Sequence, residues 1–228
     1  MCGRFALKTP VKTLAKHFQA AEAPTEVEAR FNIAPTQNIL AVQETPDGRK
    51  MKWLKWGLVP SWAKDAAGMG ARLINARSET VAEKPSFRDA FKKRRCLIPA
   101  DGFYEWQRRT GDKKQPFFFG LKDGQPFGFA GLWERWTGED GSVIESCTIL
   151  TTTANEVLAS VHDRMPVILH RDEYELWLDE DVRKQDLLKG LLQPYPADEM
   201  TSYPVSTLVN NISRQGADLI ERLPINSA

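Results

Sequence analysis

The stretch that decides the fold covers residues 96–152 and reads CLIPADGFYEWQRRTGDKKQPFFFGLKDGQPFGFAGLWERWTGEDGSVIESCTILTT. Segments rich in aromatic and β-branched residues predict β-strands at 96–98, 102–108, 116–122, 127–136 and 144–152. Most of these segments are separated by turn-forming pairs, at Gly111-Asp112, Asp123-Gly124 and Asp140-Gly141. Connections this short favour an antiparallel sheet or barrel over parallel strands joined by crossover helices.

Upstream of this stretch, the sequence predicts a helix and a hairpin. Thr9 is a suitable N-cap and Pro10 fits the first helical position, ahead of apolar residues at helical spacing: Val11, Leu14, Ala15 and Phe18. The turn sequence TPDG at residues 45–48 joins the β-like segment 38–45 to the alternating residues 51–56. This arrangement is typical of a β-hairpin.

The remaining segments complete a mixed α and β pattern. Residues 61–71 predict an exposed loop, and Ser86 predicts the cap of a short helix. Further helices are predicted at 155–161, 171–178 and 182–192, and one more strand at 203–208. Because no repeat or linker divides the chain, we predict one α+β domain over residues 1–228, with a core of about residues 2–206 and a C-terminal tail at 207–228.

Composition excludes several classes of protein. The 228 residues carry a net charge of +1 and 42% are hydrophobic, which is ordinary for a globular chain and excludes a disordered or collagen-like one. No apolar run approaches the ~20 residues of a membrane helix, and the N-terminus lacks the pattern of a secretory signal. We therefore expect a cytoplasmic protein. A net charge near zero does not predict a general nucleic-acid binder, although a groove with local positive charge remains compatible with it.

The cysteines and histidines predict neither disulfides nor a metal site. An odd number of cysteines in a reducing compartment suggests free thiols, and there is no Cys-x-x-Cys pair. The spacing of His17, His162 and His170 does not match a zinc site. We expect no metal and no organic cofactor, and we interpret Cys96 and Cys147 as small core residues.

Cys2 is the first candidate for chemistry. A small residue at position 2 normally permits removal of Met1, which leaves a free α-amine and a thiol on one residue. With reference pKa values of about 7.7–8.0 and about 8.5, a useful fraction of the amine and a few per cent of the thiol are deprotonated near neutral pH. Such a 1,2-aminothiol condenses with an aldehyde to a five-membered thiazolidine. The alternative is that Cys2 is an incidental residue of the N-terminus.

Two further segments offer polar side chains suited to a reactive site. Asn75 and Arg77 point the same way on an extended segment and supply an amide and a phosphate-binding fork; the alternative is a helix start capped by Ser78. Glu105 lies between Tyr104 and a tryptophan on a predicted strand, where partial desolvation would raise its pKa and suit proton transfer. The commoner alternative is an outward-facing, solvated Glu105.

His162 and a pair of tryptophans are the remaining candidates. His162 follows a short predicted helix and can serve as a general acid or base tuned by Asp163 or Arg164, although a surface histidine is the commoner case. Trp56 and Trp62 bracket a Gly/Pro turn. Exposed aromatic rings there can stack on unpaired bases, while the alternative is that one or both belong to the core.

Six motifs occur in a fixed order along the chain: Cys2-Gly3-Arg4-Phe5, NIAPTQ at 32–37, WGLVPSW at 56–62, NARSE at 75–79, PADGFYEW at 99–106 and HDRMP at 162–166. Together they resemble the SOS-response-associated peptidase (SRAP) family from Cys2 to about Ser206. Members of this family shield abasic sites in single-stranded DNA through a covalent DNA–protein crosslink. The resemblance implies an α+β fold around a barrel-like, mostly antiparallel β core flanked by short helices.

The resemblance also implies roles for individual residues. The amine and the sulfur of Cys2 would act as the nucleophile, with Asn75, Glu105 and His162 as the other catalytic residues. Asn75 would orient the amine, Glu105 would manage protons, and His162 would assist opening of the sugar. Phosphates would be held by the cations, and an unpaired base would stack on an indole: Arg4, Arg77, Arg164 and Trp62.

The expected partner is single-stranded DNA that contains an abasic site, bound by a monomer and associated with the nucleoid at damage. The family name implies self-removal of Met1, for which Cys2 with Glu105 and His162 could serve as a cysteine autopeptidase. Two other functions remain open on the residues alone. One is a thiol peptidase that acts on other proteins through Cys2 and His162, and the other is a non-covalent reader of single-stranded or modified DNA.

Overall fold

Short strands dominate the computed structural model, which describes residues 2–108, 114–182 and 184–224. In chain order the strands are β1 (Phe5–Leu7), β2 (Ala20–Glu22), β3 (Arg30–Ile33), β4 (Asn38–Gln43), β5 (Arg49–Trp56), β6 (Asn75–Arg77), β7 (Arg95–Ala100), β8 (Gly102–Arg108), β9 (Lys114–Leu121), β10 (Phe127–Thr137), β11 (Val143–Thr153), β12 (Arg164–Pro166), β13 (Ile168–Leu169) and β14 (Met200–Pro204). The α-helices are α1 (Val11–Phe18), α2 (Ala66–Arg72), α3 (Arg88–Lys93), α4 (Glu156–Ala159), α5 (Tyr174–Leu178) and α6 (Gln185–Gly190).

Strands β4, β5, β7, β10 and β11 close into a barrel. Four of the pairings around it are antiparallel, in the order β11-β10-β7-β4-β5. The ring is closed by a short parallel pairing of β5 with β11, in which Lys55 lies opposite Ser146 and Trp56 opposite Cys147. The predicted α+β fold with a barrel-like, mostly antiparallel core and short flanking helices is therefore confirmed.

A second, antiparallel sheet places the N-terminal segment beside the barrel. Its strand order is β14-β9-β8-β1-β3. In β1, Phe5 lies opposite Phe103 of β8, and its ring meets those of Trp56 and Phe129 edge-on at centroid distances of 5.3 and 5.9 Å. Burying these large rings is a major source of stability and fixes the start of the chain against the barrel.

Most of the predicted elements are present, with shifted ends. The hairpin β4–β5 turns at Gly48, whose φ of +97° suits glycine. The strands predicted between 96 and 152 correspond to β7–β11, and Cys96 and Cys147 are buried free thiols as predicted. The predicted turn at Gly111-Asp112 lies outside the described residues.

Several local predictions are wrong. Thr9 does not cap α1, because its hydroxyl donates to the Asp101 carboxylate instead. The predicted loop 61–71 contains α2, whose N-cap Asp65 accepts from the Gly68 N–H at 3.0 Å. Ser86 makes no cap for α3, which begins after Phe87. The strand predicted at 203–208 ends at Pro204 and is followed by a 3₁₀ turn, Thr207–Asn210.

The segment after β14 folds back onto the second sheet. Val209 and Leu219 are fully buried in one cluster with Ala6 and Tyr104. The fully buried Asn32 of β3 donates from Nδ2 to main-chain carbonyls of this segment, those of Val209, Asn211 and Arg214, at 2.9–3.2 Å. The division into a core and a tail at residue 206 stays a prediction. In the described part of the chain, every helix is too short or too polar to cross a bilayer.

Candidate functional site

Cys2 lies just before β1, the strand that brings the N-terminal segment into the second sheet. The Tyr104 N–H donates to the carbonyl oxygen of Arg4 at 2.9 Å, and continuing this antiparallel register sets Gly3 opposite Glu105. Asn75 donates from Nδ2 to the carbonyl oxygen of Cys2 at 2.8 Å. The Cys2 side chain is fully buried within the main core cluster. The structure therefore brings Cys2 next to two of the other predicted catalytic residues.

The surroundings of the Cys2 thiol keep it protonated. Burial raises the pKa of Cys2 well above its ordinary value, and the nearby negative charge of Glu105 raises it further. A thiolate is disfavoured in this environment, so the resting sulfur is a neutral thiol. Any role of the sulfur as a nucleophile requires a base that takes its proton during the reaction.

Glu105 is the buried carboxyl group of the site. It is 3% exposed on β8, so the alternative of a solvated, outward-facing glutamate is wrong. Burial raises the pKa of Glu105, and the charge of His162 counteracts part of that effect. A carboxyl group with a raised pKa keeps its proton to a higher pH than a solvated one, which suits general acid–base work.

His162 follows α4 and leads into β12. Its backbone N–H donates to the Leu158 carbonyl oxygen at 2.9 Å, which holds the residue at the helix end. The Arg164 N–H donates to His162 Nδ1 at 2.9 Å, and an Asp163 carboxylate oxygen lies 3.0 Å from the same nitrogen. These contacts hold the imidazole ring at the point where the chain enters β12.

Glu105 and His162 line one open cavity of about 560 Å³. The exposed cations Arg108 and Lys114 also line it, along with Trp106. The cavity therefore combines an acid and an imidazole at its wall with positive charge near its edge. The Asp163 carboxylate lines the same cavity, so groups of both charges surround a site that is suited to proton transfer.

Asn75 and Arg77 lie on β6, and this confirms the extended segment predicted for them. The strand pairs in parallel with β11, with Asn75 opposite Ile149 and Arg77 opposite Thr151. The Arg77 side chain is exposed, whereas that of Asn75 is partly buried and turned to Cys2. The Asn75 Oδ1 atom is buried and has no hydrogen-bond partner among the described residues. One acceptor beside Cys2 is thus available.

Arg164 lies at the start of β12, on the other side of β11 from Arg77. Both of its η nitrogens donate to the Glu79 carboxylate, and Nη2 also donates to the Thr151 carbonyl oxygen at 2.6 Å. Arg77 lies opposite Thr151, and Arg164 lies opposite Thr153. Since Thr151 and Thr153 are two residues apart on β11, the two arginines project from the same face.

Arg4 points to the side of the sheet opposite the main core. It donates from Nη1 to Asn32 Oδ1 at 2.7 Å and to the Val209 carbonyl oxygen at 2.8 Å. Its guanidinium also lies over the Trp106 ring, 5.7 Å from the centroid. Arg4 thus fastens the C-terminal segment, and its predicted phosphate contact stays a prediction.

The two tryptophans of the WGLVPSW motif have different surroundings. Trp56 is fully buried in the barrel and donates from Nε1 to the Ile74 carbonyl oxygen at 2.9 Å. Trp62 is 55% exposed, which makes it available for stacking on a base. The core alternative is therefore correct for Trp56 and wrong for Trp62.

Sequence reasoning missed residues that hold the site together. Asp101 accepts from the backbone N–H groups of Lys8 and Thr9 at 2.5 and 2.9 Å, which anchors the end of β1. Asn32 and Glu79 were inside quoted motifs without an assigned role. The signal for the burial of Asn32 was its position between the apolar residues Phe31 and Ile33. Among the described residues, no group of three or more His, Cys, Asp or Glu side chains is placed to hold a metal ion.

The comparison with protein families gives a match over almost the whole chain. The sequence model of the SOS response associated peptidase (SRAP) family matches residues 1–212. The chain belongs to the SRAP family. The resemblance carried by the six motifs is thereby confirmed.

Two bacterial relatives of this SRAP protein align with it over nearly their full length. It is 44% identical over 223 residues to the abasic site processing protein YoqW of Bacillus subtilis, covering 97% of this chain and 99% of the relative. It is 32% identical over 228 residues to the abasic site processing protein YedK of Escherichia coli, again covering 97% and 99%. Both relatives are named for the processing of abasic sites.

Solved structures share the fold of this SRAP protein. A protein from Bacteroides thetaiotaomicron superposes with a TM-score of 0.89 at 24% identity, over 98% of this chain and 100% of the other. A protein from Bordetella bronchiseptica superposes with a TM-score of 0.76 at 30% identity, over 90% of this chain and 100% of the other. The arrangement of barrel and second sheet is thus common to several bacterial proteins.

Proposed function

We propose that this SRAP protein senses abasic sites in single-stranded DNA during the response to DNA damage and shields them with a covalent crosslink to Cys2. The observation that carries the proposal is the position of Glu105, a buried carboxyl group that lines one cavity with His162 and whose negative charge raises the pKa of the Cys2 thiol. The names of the bacterial relatives support the same substrate. We propose that the protein acts as a monomer in the cytoplasm, on nucleoid DNA.

The chemistry begins at the nitrogen of Cys2, after removal of Met1. The free α-amine adds to the C1′ aldehyde of the opened abasic sugar to give a carbinolamine, which loses water to become an imine. The loss of water under acid catalysis leaves the imine protonated on nitrogen. The thiol then gives its proton to a neighbouring carboxylate, its sulfur adds to the imine carbon, and a thiazolidine ring closes with the nitrogen keeping its hydrogen. Overall, the amine, the thiol and the aldehyde are consumed, and the thiazolidine ring and one water molecule are formed.

The order of these two bonds fits the burial of Cys2. The sulfur is fully buried in the chain that retains Met1. It needs to reach C1′ of the sugar only after the amine has formed its bond to that carbon. The second step is then intramolecular, which raises the effective concentration of the thiol by orders of magnitude. The ring consumes the aldehyde that acidifies the neighbouring C–H bond, so the DNA strand is protected from β-elimination.

Glu105, His162 and Asn75 have distinct roles in this scheme. Protonated Glu105 donates to the departing hydroxyl of the carbinolamine, and its carboxylate then accepts the thiol proton. The imidazole of His162 donates a proton to the ring oxygen of the closed sugar and helps to open it. Asn75 holds the Cys2 carbonyl, and its free Oδ1 acceptor is available to an amine N–H.

Recognition of the strand relies on its backbone. Arg77 is exposed beside Asn75 and is suited to a flanking phosphate, with Arg4 and Arg164 as further phosphate contacts. Trp62 is exposed and is suited to stacking on a neighbouring base. Binding of this kind is salt-dependent and largely independent of sequence.

Release of Met1 is a second proposed activity, an autopeptidase step. Cys2, with Glu105 and His162 beside it, would cleave the preceding peptide bond. Intact-mass measurement of the purified protein tests the free amine, because an active preparation that retains Met1 would exclude imine formation. A thiol peptidase for other proteins is less well supported, since burial disfavours the thiolate that such an enzyme uses.

The crosslink is tested with an oligonucleotide that carries one abasic site, on a denaturing gel. We expect a shifted band for the wild-type protein, none for Cys2→Ala, and an unchanged band for the control Cys96→Ala, which removes an equally buried thiol elsewhere. Cys2→Ser keeps the amine, so borohydride traps its imine while no heat-stable band forms without borohydride. A stable band with Cys2→Ala would overturn the proposal. Binding without a shift would favour a non-covalent reader, and cleavage of an unrelated peptide a protease.

A further inference from the structure

We propose that the carboxylate of Glu79 competes with DNA phosphate for Arg164 and thereby lowers the affinity of this protein for undamaged single-stranded DNA. The inference rests on the proposed function in one respect, namely that a DNA strand passes over the face that carries Arg77 and Arg164. It goes further in naming a residue that opposes binding. No earlier step of the proposed chemistry uses Glu79.

The contact between the two side chains has the geometry of phosphate recognition. Nη1 of Arg164 donates to one carboxylate oxygen of Glu79, and Nη2 donates to the other at 3.0 Å. This fork-to-fork arrangement is the one in which arginine also holds two oxygens of a phosphate. The hydrogen bonds from Arg164 lower the pKa of Glu79, so its carboxylate is charged at neutral pH. Glu79 therefore occupies the place of a phosphate.

The pair lies where an incoming strand can reach it. The Glu79 side chain is 48% exposed, while that of Arg164 is 11% exposed. Glu79 also lines an open cavity of about 370 Å³ together with Lys189, a second cation. On the same face, Arg77 is exposed. A phosphate approaching Arg77 thus meets Arg164 already paired with a carboxylate.

The rest of Arg164 is held in place without Glu79. Nη2 donates to the carbonyl oxygen and to Oγ1 of Thr151, at 2.6 and 3.3 Å. The guanidinium therefore keeps its position when the carboxylate leaves, and an exchange of carboxylate for phosphate requires movement of Glu79 alone. Since the Glu79 side chain is half-exposed, water weakens the ion pair, and a phosphate held by other contacts can displace the carboxylate.

A low reversible affinity for DNA is consistent with covalent capture of the lesion. The crosslink supplies the lasting attachment at a lesion, so affinity for intact DNA adds nothing to it and slows the search along the strand. An internal competitor for one cation lowers affinity for every strand equally, because phosphates carry no sequence information. Only an abasic site converts the brief contact into a bond.

The test measures reversible binding of an unmodified single-stranded oligonucleotide by fluorescence anisotropy across a range of salt concentrations. Glu79→Gln keeps the shape of the side chain and removes its charge. We expect about two- to fivefold tighter binding than wild type at low salt. We also expect the slope of log affinity against log salt to become steeper by about 0.7, the value for one added phosphate contact on a single strand.

Two controls separate this effect from a general change in charge. Glu83→Gln removes the same charge from an exposed position four residues away, for which no ion pair is recorded among the described residues, and is expected to bind like wild type. In an Arg164→Gln background, Glu79→Gln is expected to give no gain. Unchanged or weaker binding by Glu79→Gln, or an equal gain with Glu83→Gln, would overturn the inference.

The same proteins also distinguish this inference from the proposed function. The anisotropy assay contains no abasic site and needs no reactive Cys2, so its result is independent of crosslinking. A wild-type protein that crosslinks while Glu79→Gln leaves affinity unchanged refutes only the competition. A wild-type protein that binds more weakly than Glu79→Gln but never crosslinks refutes only the covalent function. Failure of every variant to bind the unmodified strand refutes the competition, while the denaturing gel still decides the covalent function.

Discussion

The side-chain amide of Asn75 donates a 2.8 Å hydrogen bond to the carbonyl oxygen of Cys2, which is 73 residues away in sequence. Asn75 belongs to β6, whose only neighbour in the described sheet is β11 of the barrel. Through this contact, the barrel fixes the position of the residue that carries the proposed nucleophile. The position of the Cys2 main chain relative to the barrel therefore depends on the side-chain amide of Asn75.

Asn75→Asp tests that dependence. The carboxylate presents only acceptors to the Cys2 carbonyl, so the hydrogen bond becomes a repulsion, and we expect the rate of crosslinking to fall at least about tenfold, a barrier increase of about 1.4 kcal/mol. The loss of stability is expected to be about 1–3 kcal/mol. Single-turnover crosslinking on denaturing gels measures the rate. Thr45→Ala removes a comparable 2.7 Å side-chain bond to Gly48 in a distant turn and serves as the control with unchanged rate.

Glu105→Gln has a stability effect that depends on pH. Burial raises the pKa of Glu105 above its ordinary value of 4.5, so the folded state binds this proton more tightly than the unfolded state. As the pH rises from 4.5 through the raised pKa, the wild-type free energy of unfolding falls relative to that of Glu105→Gln, and the difference then stays constant. Urea unfolding of both proteins between pH 4 and pH 8 measures this difference, taking 4.5 as the start of the fall.

The same variant separates stability from chemistry. Glutamine cannot exchange a proton, so we expect Glu105→Gln to crosslink more slowly even where it is the more stable protein. Glu134→Gln is a suitable control, because Glu134 is also a buried glutamate, paired with Arg94 at 2.8 Å and remote in sequence from the site. A pH-independent stability difference for Glu105→Gln would contradict the assigned burial effect.

Trp62→Ala is expected to weaken binding of single-stranded DNA without unfolding the protein. Loss of one stacked base costs about 1–3 kcal/mol of binding free energy, while a substitution at an exposed position changes stability by only about 0.5 kcal/mol. Trp53→Ala is the matched control, since Trp53 is 41% exposed but lies in no proposed DNA contact. Equal losses of affinity in the two variants would argue against a stacking role for Trp62.

Gly57→Ala is expected to destabilise the turn that leads to Trp62. Gly57 has a φ of +132°, and an added Cβ would collide with the carbonyl of Gly70 in α2. Gly141 has a φ of +79° and open space around it, so Gly141→Ala pays only the backbone cost of about 1–2 kcal/mol. Thermal unfolding is expected to rank Gly57→Ala clearly below Gly141→Ala. The reversed order would show that α2 can shift away from the added methyl group at little cost in stability.

Regular periodicity explains which parts of the fold were predictable. The strands from β7 to β11 follow from alternating apolar residues and Gly-containing turns, both local features. The closure of the barrel was not predictable, because the pairing of β5 with β11 involves only two residue pairs and depends on the tertiary arrangement. Helix α2 was missed because its two glycines have low helix propensity, whereas the Asp65 cap supports it.

The candidate site was predictable in its residue types and less so in its contacts. Asn75 and Arg77 could be assigned to one extended segment from their spacing, and the structure agrees. The burial of Glu105 depends on the pairing of β8 with β9 and on the approach of the N-terminal segment. The pairing of Glu79 with Arg164 spans 85 residues, and nothing local in the sequence indicates it.

The short parallel pairing of β5 with β11 also determines when the site is assembled. It joins residues near 55 to residues near 146, so a chain emerging from the ribosome cannot complete the barrel until β11 has been synthesised. Until then β6 has no partner strand, and Asn75 cannot anchor Cys2. The N-terminus therefore spends most of translation without the neighbours of the folded site, and on the proposed function the capture of aldehydes begins only once the nascent chain has folded.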